Sequence, residues 1–125
     1  MSLPQEFGPS DGPVVRLTDL QGVRVASVLG EVDLESADRV FSSLRAAAVR
    51  QARVVVSLEE CTYCDSSALR RLLAFREELG DRLVVVLNPR IARLLQIVGF
   101  AGAFATAPDV PSALGSFRTG SAAGE

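Results

Sequence analysis

The fold of this chain is decided by the stretch TYCDSSALRRLL, residues 62–73. A run of three valines at 54–56 lies just before it, and such a β-branched run is typical of a buried strand. The apolar residues that follow recur instead at helical spacing: Ala68, Leu72, Phe75 and Leu79. A strand therefore gives way to a helix at Asp65-Ser66. This junction predicts an α/β sheet with a functional site at its carboxyl edge.

Two interpretations of the polar residues Asp65, Ser66 and Ser67 are open from the local pattern. Ser and Asp are preferred at helix N-termini, where their side chains accept hydrogen bonds from unpaired N–H groups, and such a cap is worth about 1 kcal/mol. A serine at this position can alternatively be phosphorylated, because the helix macrodipole tolerates added negative charge. The local pattern alone favours capping. The first helix is likewise capped by either Asp33 or Ser36.

Composition predicts a single globular domain that does not bind nucleic acid. The 125 residues suffice for one core but not for two, and 48% hydrophobic with 22% charged residues is typical of a globular protein. The net charge of -2 predicts no binding to nucleic acid or to an anionic membrane. The sequence has no apolar run of membrane-spanning length and no signal peptide, so we expect a cytoplasmic protein without membrane insertion.

The sequence lacks the residues of the common catalytic and metal sites. Histidine is absent, which removes the usual general base and the usual metal ligand. The two cysteines, Cys61 and Cys64, form one C-x-x-C pair, and no second pair completes a zinc site. We interpret both as small apolar residues at a strand end in a reducing compartment. We therefore expect no enzyme, no metal and no cofactor; redox chemistry by the thiols is the least favoured alternative.

The rest of the chain predicts one domain over residues 14–118, with a disordered arm at 1–13 and a disordered tail at 119–125. Two strands are followed by alternating helices and strands, which predicts a four- or five-stranded mixed sheet with helices packed against it. We expect strands at 14–20, 23–32, 53–58, 82–87 and 104–106, and helices from Ser36, Ser66, Pro89 and Asp109. The predicted core includes Val55, Leu72, Val85, Leu94 and Val98.

This order of elements resembles the STAS domain, and in particular the bacterial anti-sigma factor antagonists. The resemblance covers residues 14–117. The motifs that carry it are Asp65-Ser66-Ser67-x-Leu69, Gly30-Glu31-Val32-Asp33 before the first helix, and Asn88-Pro89 with Val98-Gly99-Phe100. The chain departs from the family at Ala68, where the family usually has glycine.

The resemblance implies that this chain is an anti-sigma factor antagonist. In that family the serine after the aspartate is the phosphorylation site, which corresponds to Ser66 here. The unphosphorylated antagonist binds an anti-sigma factor that is also a serine kinase, phosphorylation ends the binding, and a serine phosphatase restores it. The alternative is an unphosphorylated STAS domain that serves as a scaffold or interaction domain in a stress-sensing or transporter-associated complex, with Ser66 only a cap.

We expect the partner to bind around the strand-to-helix junction. The predicted contact residues are Asp33, Tyr63, Asp65, Ser66, Ser67, Arg70 and Arg71. Tyr63 is the only tyrosine, and its amphipathic ring suits an interface, although it could equally pack onto its own domain. Arg70 and Arg71 either contact the partner or pair with Glu77 and Glu78 on the solvated face of the helix.

Overall fold

The computed structural model describes residues 5–7 and 12–123, with side-chain surroundings for residues 12–117. Its helices are α1 (Leu34–Ala48), α2 (Ser66–Leu79), α3 (Pro89–Val98) and α4 (Val110–Ala123). Its strands are β1 (Gln5–Phe7), β2 (Val14–Leu20), β3 (Val23–Val32), β4 (Val54–Ser57), β5 (Cys61–Cys64), β6 (Leu83–Val86) and β7 (Thr106–Ala107). In the described part of the chain, none of the helices is long and apolar enough to cross a membrane.

Six strands form one mixed sheet in the order β1-β2-β3-β4-β6-β7. The first three pair antiparallel, and β3, β4, β6 and β7 pair in parallel. β5 lies outside this order and pairs in parallel with the carboxyl end of β3.

The α/β class with a mixed sheet is confirmed. The expectation of four or five strands is wrong, because β1 and β5 are too short to leave a hydrophobic pattern. β7 begins at Thr106 rather than Phe104, because a 3₁₀ turn at Ala101–Ala103 precedes it.

A tight turn at Gln21-Gly22 joins β2 to β3. Both turn residues have positive φ, 55° and 79°, which the type I′ turns favoured in hairpins require. The hairpin register pairs Leu20 with Val23 and Val14 with Leu29. The turn thereby fixes the position of β3, and the other edge of β3 pairs with both β4 and β5.

Two hydrophobic clusters lie on opposite faces of the sheet. Helices α1, α2 and α3 cover one face, and α4 covers the other. Successive residues of β4 alternate between the clusters: Val54 and Val56 belong to the first and Val55 to the second. This explains the valine run, because a parallel strand between helices is apolar on both sides.

Most of the predicted core is buried, with one error in α3. The predicted core residues that are buried are Val55, Leu72 and Val85. Leu94 is partly buried against the cluster beneath α1, α2 and α3. Val98 is 38% exposed, so its assignment to the core is wrong. The helix ends there and the chain turns at the left-handed Gly99, which brings Phe100 against the cluster instead.

The predictions for the two ends of the chain need correction. Gln5–Phe7, within the predicted disordered arm at 1–13, form β1 because the outer edge of β2 offers unpaired backbone groups. Residues 119–123, within the predicted disordered tail at 119–125, continue α4. The parts of both predictions that fall on residues 1–4, 8–11 and 124–125 lie outside the described residues.

We expect Leu72→Ala to lower the free energy of unfolding by about 2–5 kcal/mol, because truncating this buried side chain leaves a cavity between α2 and the sheet. Glu77→Ala is the matched control: Glu77 is exposed on the same helix, and its truncation should change stability by less than ~0.5 kcal/mol. Urea unfolding measures both values. A loss below about 1 kcal/mol for Leu72→Ala would show that another face of α2 is buried.

Candidate functional site

Two helix N-termini lie side by side at the carboxyl edge of the sheet. β3 ends at Val32 and leads through Asp33 into α1, and β5 ends at Cys64 and leads through Asp65 into α2. The two strands are parallel neighbours that pair Val32 with Cys64. Asp65 donates its backbone N–H to the Val32 carbonyl oxygen at 3.1 Å. The predicted junction therefore contains two capping carboxylates.

Asp33 caps α1 in a capping box with Ser36. Its Oδ1 accepts hydrogen bonds from the Ser36 backbone N–H at 3.0 Å and from the Ser36 hydroxyl at 2.9 Å, while Ser36 Oγ accepts from the Asp33 N–H at 3.0 Å. The helix begins at Leu34, so Ser36 is not the helix start that the sequence predicted. The Ser36 hydrogen bonds hold the pKa of the Asp33 carboxyl below its usual value, and the nearby charge of Asp65 acts in the opposite direction.

Asp65 caps α2 and also restrains Ser67. Its Oδ1 accepts hydrogen bonds from the Ser67 hydroxyl at 2.7 Å and from the Ala68 backbone N–H at 3.0 Å. Hydrogen bonds from the Ser67 hydroxyl, the Ala68 amide and the Leu34 amide hold its pKa below the usual value, so the carboxylate is charged at neutral pH. Asp65 is therefore the cap, and the hydroxyl of Ser67 is held by the Asp65 carboxylate. The alternative that Ser66 is the cap is wrong.

Ser66 is the first residue of α2, and its side chain is exposed. Its hydroxyl makes no hydrogen bond to any residue within 12–117, the range with described side chains. Ser67, by contrast, is half-buried and its hydroxyl is held by Asp65. Of the two serines, Ser66 is therefore the one whose hydroxyl is accessible and uncommitted.

Ala68, the residue at which the chain departs from the pattern that it resembles, points into the protein. Its side chain is 1% exposed and belongs to the cluster beneath α1, α2 and α3. The methyl group therefore fills the core below the site and leaves the surface around Ser66 open. This departure from the family pattern does not obstruct access to the serine.

A β-bulge in β5 controls which of its side chains reach the surface. The strands pair Gly30 with Cys61 and then Glu31 with Tyr63, so that Thr62 is an extra residue. Thr62 and Tyr63 are consequently both exposed, where a regular strand would turn one of them inward. The Tyr63 side chain is 45% exposed. This exposure favours the interpretation of Tyr63 as an interface residue over the alternative that its ring packs onto its own domain.

Asn88 fixes the loop before β5, a role that the sequence did not reveal. Its Oδ1 accepts a hydrogen bond from the Ile91 backbone N–H at 2.8 Å and so caps α3. Its Nδ2 donates to the carbonyl oxygens of Leu58, Glu59 and Cys61 at 3.0, 3.2 and 2.8 Å. One side chain thus joins α3 to the segment that positions β5. An asparagine before a proline indicates a helix cap, but the sequence gives no sign of the contacts with the carbonyl oxygens, because those partners lie 27–30 residues away.

The two arginines predicted to contact the partner differ in their surroundings. Arg71 forms an ion pair with Asp38 and so links α2 to α1. Glu78 pairs with Arg45 of α1 at 3.1 Å, so the predicted alternative of pairing within α2 is wrong. Arg70 is exposed and has no ion-pair partner among residues 12–117. The charge of Arg70 is therefore available to a partner, whereas Arg71 already has a contact within the domain.

Leu34 is an exposed apolar residue at the site that the sequence pattern did not identify. It is 72% exposed at the first position of α1, and its amide lies near the Asp65 carboxylate. Its spacing from Ala37 and Phe41 matches the buried stripe of α1, so periodicity alone would assign it to the core. Leu34 and Tyr63 give the acidic edge two exposed apolar side chains.

Known proteins are similar to this chain in sequence and fold. The sequence matches the STAS domain family over residues 15–113. The crystal structure of an anti-sigma factor antagonist from Mycobacterium paratuberculosis is 26% identical with a TM-score of 0.76, covering 90% of this chain and 99% of that chain. A second relative is BtrV of Bordetella bronchiseptica, which is named as a candidate anti-sigma factor antagonist. It is 27% identical over 105 residues, which cover 80% of this chain and 90% of that protein. Unphosphorylated SpoIIAA shares the fold at 18% identity, with a TM-score of 0.65 over 84% of this chain and 96% of that chain.

The family match extends from β2 into α4, so it includes both helix N-termini of the site. The similarity to the mycobacterial antagonist covers nearly all of that protein, so the two chains share a whole domain rather than a motif. The chain therefore belongs to the STAS domain family, and it resembles proteins described as anti-sigma factor antagonists, among them the mycobacterial structure.

Proposed function

We propose that this chain binds an anti-sigma factor and that phosphorylation of Ser66 by this partner ends the binding. The observation that carries the proposal is the exposed, uncommitted hydroxyl of Ser66 between a capping Asp65 and a hydrogen-bonded Ser67. In this scheme the partner is an anti-sigma factor with serine kinase activity, and a serine phosphatase restores binding. The chain itself acts by binding and not by catalysis.

A phosphate on Ser66 would add charge to a surface that already carries carboxylates. It brings about -1.5 to -2 charges and three strong acceptor oxygens. Asp33 and Asp65 lie at this edge, and Glu31 and Glu35 are exposed on either side of Asp33. At about 4 Å and an effective dielectric near 20, one like-charge pair costs about 4 kcal/mol before screening. Repulsion within this chain is the same in the free and the bound protein, so the loss of binding comes from the phosphate facing a like charge, or a tightly packed group, of the partner. One such pair would exceed the ~1.4 kcal/mol that weakens binding tenfold.

The fold should tolerate this phosphate. At the N-terminus of α2, unpaired N–H groups and the macrodipole favour an anion. Phosphorylated SpoIIAA has been solved, and it shares this fold at 18% identity with a TM-score of 0.58, over 83% of this chain and 99% of that chain. The fold is thus present in both the phosphorylated and the unphosphorylated form of that protein. This supports a switch that acts on the surface rather than on the fold.

The proposed partner surface combines apolar and charged side chains at the carboxyl edge. Its residues are Asp33, Leu34, Tyr63, Asp65, Ser66, Ser67, Arg70 and Arg71. Leu34 and Tyr63 supply exposed apolar area of the kind that carries most binding energy in interfaces. The carboxylates and Arg70 supply the polar rim. We expect Arg71 to contribute less, because it is already paired with Asp38.

We expect the protein, incubated with its cognate anti-sigma kinase and ATP, to take up phosphate on Ser66. Ser66→Ala should stay folded, bind the partner and accept no phosphate, because the Asp65 cap is intact. Ser67→Ala is the matched control and should still be phosphorylated. Trypsin releases both serines in one peptide, residues 54–70, and its fragment ions locate the phosphate.

Phosphate found on Ser67 alone would contradict the residue assignment. If neither serine is modified and ATP leaves partner binding unchanged, the switch is wrong and the unphosphorylated scaffold becomes the better explanation. Ser66→Asp should bind the partner more weakly than the wild type but more tightly than the phosphoprotein, because a carboxylate carries less charge than a phosphate.

We expect Leu34→Ser and Tyr63→Ala each to weaken partner binding about tenfold, or ~1.4 kcal/mol, because each removes exposed apolar area from the surface. Ile97→Ser is the control. Ile97 is apolar and 70% exposed, but it lies near the end of α3, about 12 Å along the helix from the carboxyl edge. Isothermal titration calorimetry measures all three affinities. If both site variants bind as tightly as the control, the partner contacts another face.

A further inference from the structure

We propose that Cys61 and Cys64 are an oxidation site at which a peroxide converts the two thiols into an intramolecular disulfide. Both cysteines are free, and their Sγ atoms lie 3.5 Å apart. They flank the exposed Thr62 and Tyr63, and Cys64 immediately precedes the cap Asp65, so the modification lies beneath the proposed partner surface. Its effect on partner binding rests on the function proposed above, whereas formation of the disulfide does not.

The bulge in β5 brings the two sulfur atoms together. In a regular strand, residues three positions apart point to opposite faces of the sheet. The extra residue Thr62 reverses this alternation, so that Cys61 and Cys64 both point into the core while Thr62 and Tyr63 point outward. The contact between the thiols is therefore a product of the pairing between β5 and β3, and the C-x-x-C spacing alone would not create it.

The two thiols differ in their readiness to react. The hydrogen bond from the Cys64 thiol holds the pKa of Cys61 below its usual value, while the same hydrogen bond and burial raise the pKa of Cys64. The thiolate is the reactive form, so Cys61 reacts first and Cys64 is the thiol that completes the disulfide.

Access to the thiols depends on local opening of one short strand. Cys61 is fully buried and Cys64 is 6% exposed. Both lie on β5, a strand of four residues that, in the described part of the chain, pairs only with the end of β3. Short elements of this kind open more often than the central strands of a sheet, and a hydrogen peroxide molecule is small enough to enter.

The proposed oxidation proceeds in two balanced steps. The Cys61 thiolate sulfur attacks one peroxide oxygen, the O–O bond breaks, and the departing hydroxide takes a proton to become water, which leaves a sulfenic acid. The Cys64 sulfur then attacks the Cys61 sulfur, the S–O bond breaks, and the released hydroxide takes the Cys64 proton to become a second water. Two thiols and one peroxide thus give one disulfide and two waters; the sulfurs are oxidised and the peroxide is reduced.

Forming the disulfide should move the residues of the proposed partner surface. The S–S bond is about 2.05 Å long, so the sulfur atoms must approach from their separation of 3.5 Å. The intervening Tyr63 and the following Asp65 are bonded to this segment and hydrogen-bonded to β3. We therefore expect oxidation to shift both residues and to weaken partner binding.

The first test detects the disulfide without any partner. The native full chain is treated with hydrogen peroxide, then denatured, alkylated with iodoacetamide and digested with trypsin; both cysteines fall in the peptide 54–70. We expect this peptide to be two hydrogen atoms lighter than the dithiol and to carry no alkyl group, and dithiothreitol to restore both alkylation sites. Cys61→Ala and Cys64→Ala should show no such product. Two alkylated thiols, a sulfinic acid or a disulfide between two chains would overturn the proposal.

The second test uses the oxidised protein and its cognate anti-sigma kinase. We expect oxidation to weaken binding by about threefold or more, dithiothreitol to restore it, and the Cys61→Ala/Cys64→Ala variant to bind with or without peroxide. An unchanged affinity in protein that carries the disulfide would refute the coupling to the surface. A reduced protein that does not bind the kinase at all would instead refute the proposed function, while the result of the first test would stand.

Discussion

The hydrogen bonds at Asp65 are the constraint on which the site depends. One carboxylate oxygen holds the Ser67 hydroxyl at 2.7 Å and the Ala68 amide at 3.0 Å, and the Asp65 backbone N–H is held in turn by the carbonyl of Val32. The start of α2 is thereby tied to the end of β3 at the residue before Ser66. Ser66 is left with a fixed backbone and an uncommitted hydroxyl, and phosphoryl transfer depends on such positioning of the acceptor.

The pairing of β5 with β3 brings the remaining parts of the site together. Because the two strands are parallel, their helices begin at the same edge and the carboxylates of Asp33 and Asp65 are neighbours. The bulge at Thr62 turns Tyr63 outward and both cysteines inward. One strand of four residues therefore determines the acidic surface, the exposed ring and the thiol contact. This shared origin is the reason to expect that chemistry at the thiols reaches the partner surface.

The sequence predicted the features that depend on local chemistry and missed those that depend on distant segments. The valine run at 54–56 and the helix start at Ser66 each carry their own signal, so the α/β class and the strand-to-helix junction followed from the pattern. Thr62 is bulged only because of its pairing with β3, and the partner of Arg71 lies on another helix. Val98 fits the helical period but faces solvent, because the turn after it brings another side chain to the core.

The most direct test of the proposed switch is the affinity of protein phosphorylated on Ser66 for the proposed anti-sigma partner, measured beside the unphosphorylated protein at several salt concentrations. A switch that acts through surface charge predicts a loss of more than about tenfold at low salt. The loss should shrink as salt rises, because charges that are exposed at an interface are screened over a Debye length of about 10 Å at 0.1 M. An affinity that phosphorylation leaves unchanged, or a loss that is the same at every salt concentration, would contradict this mechanism.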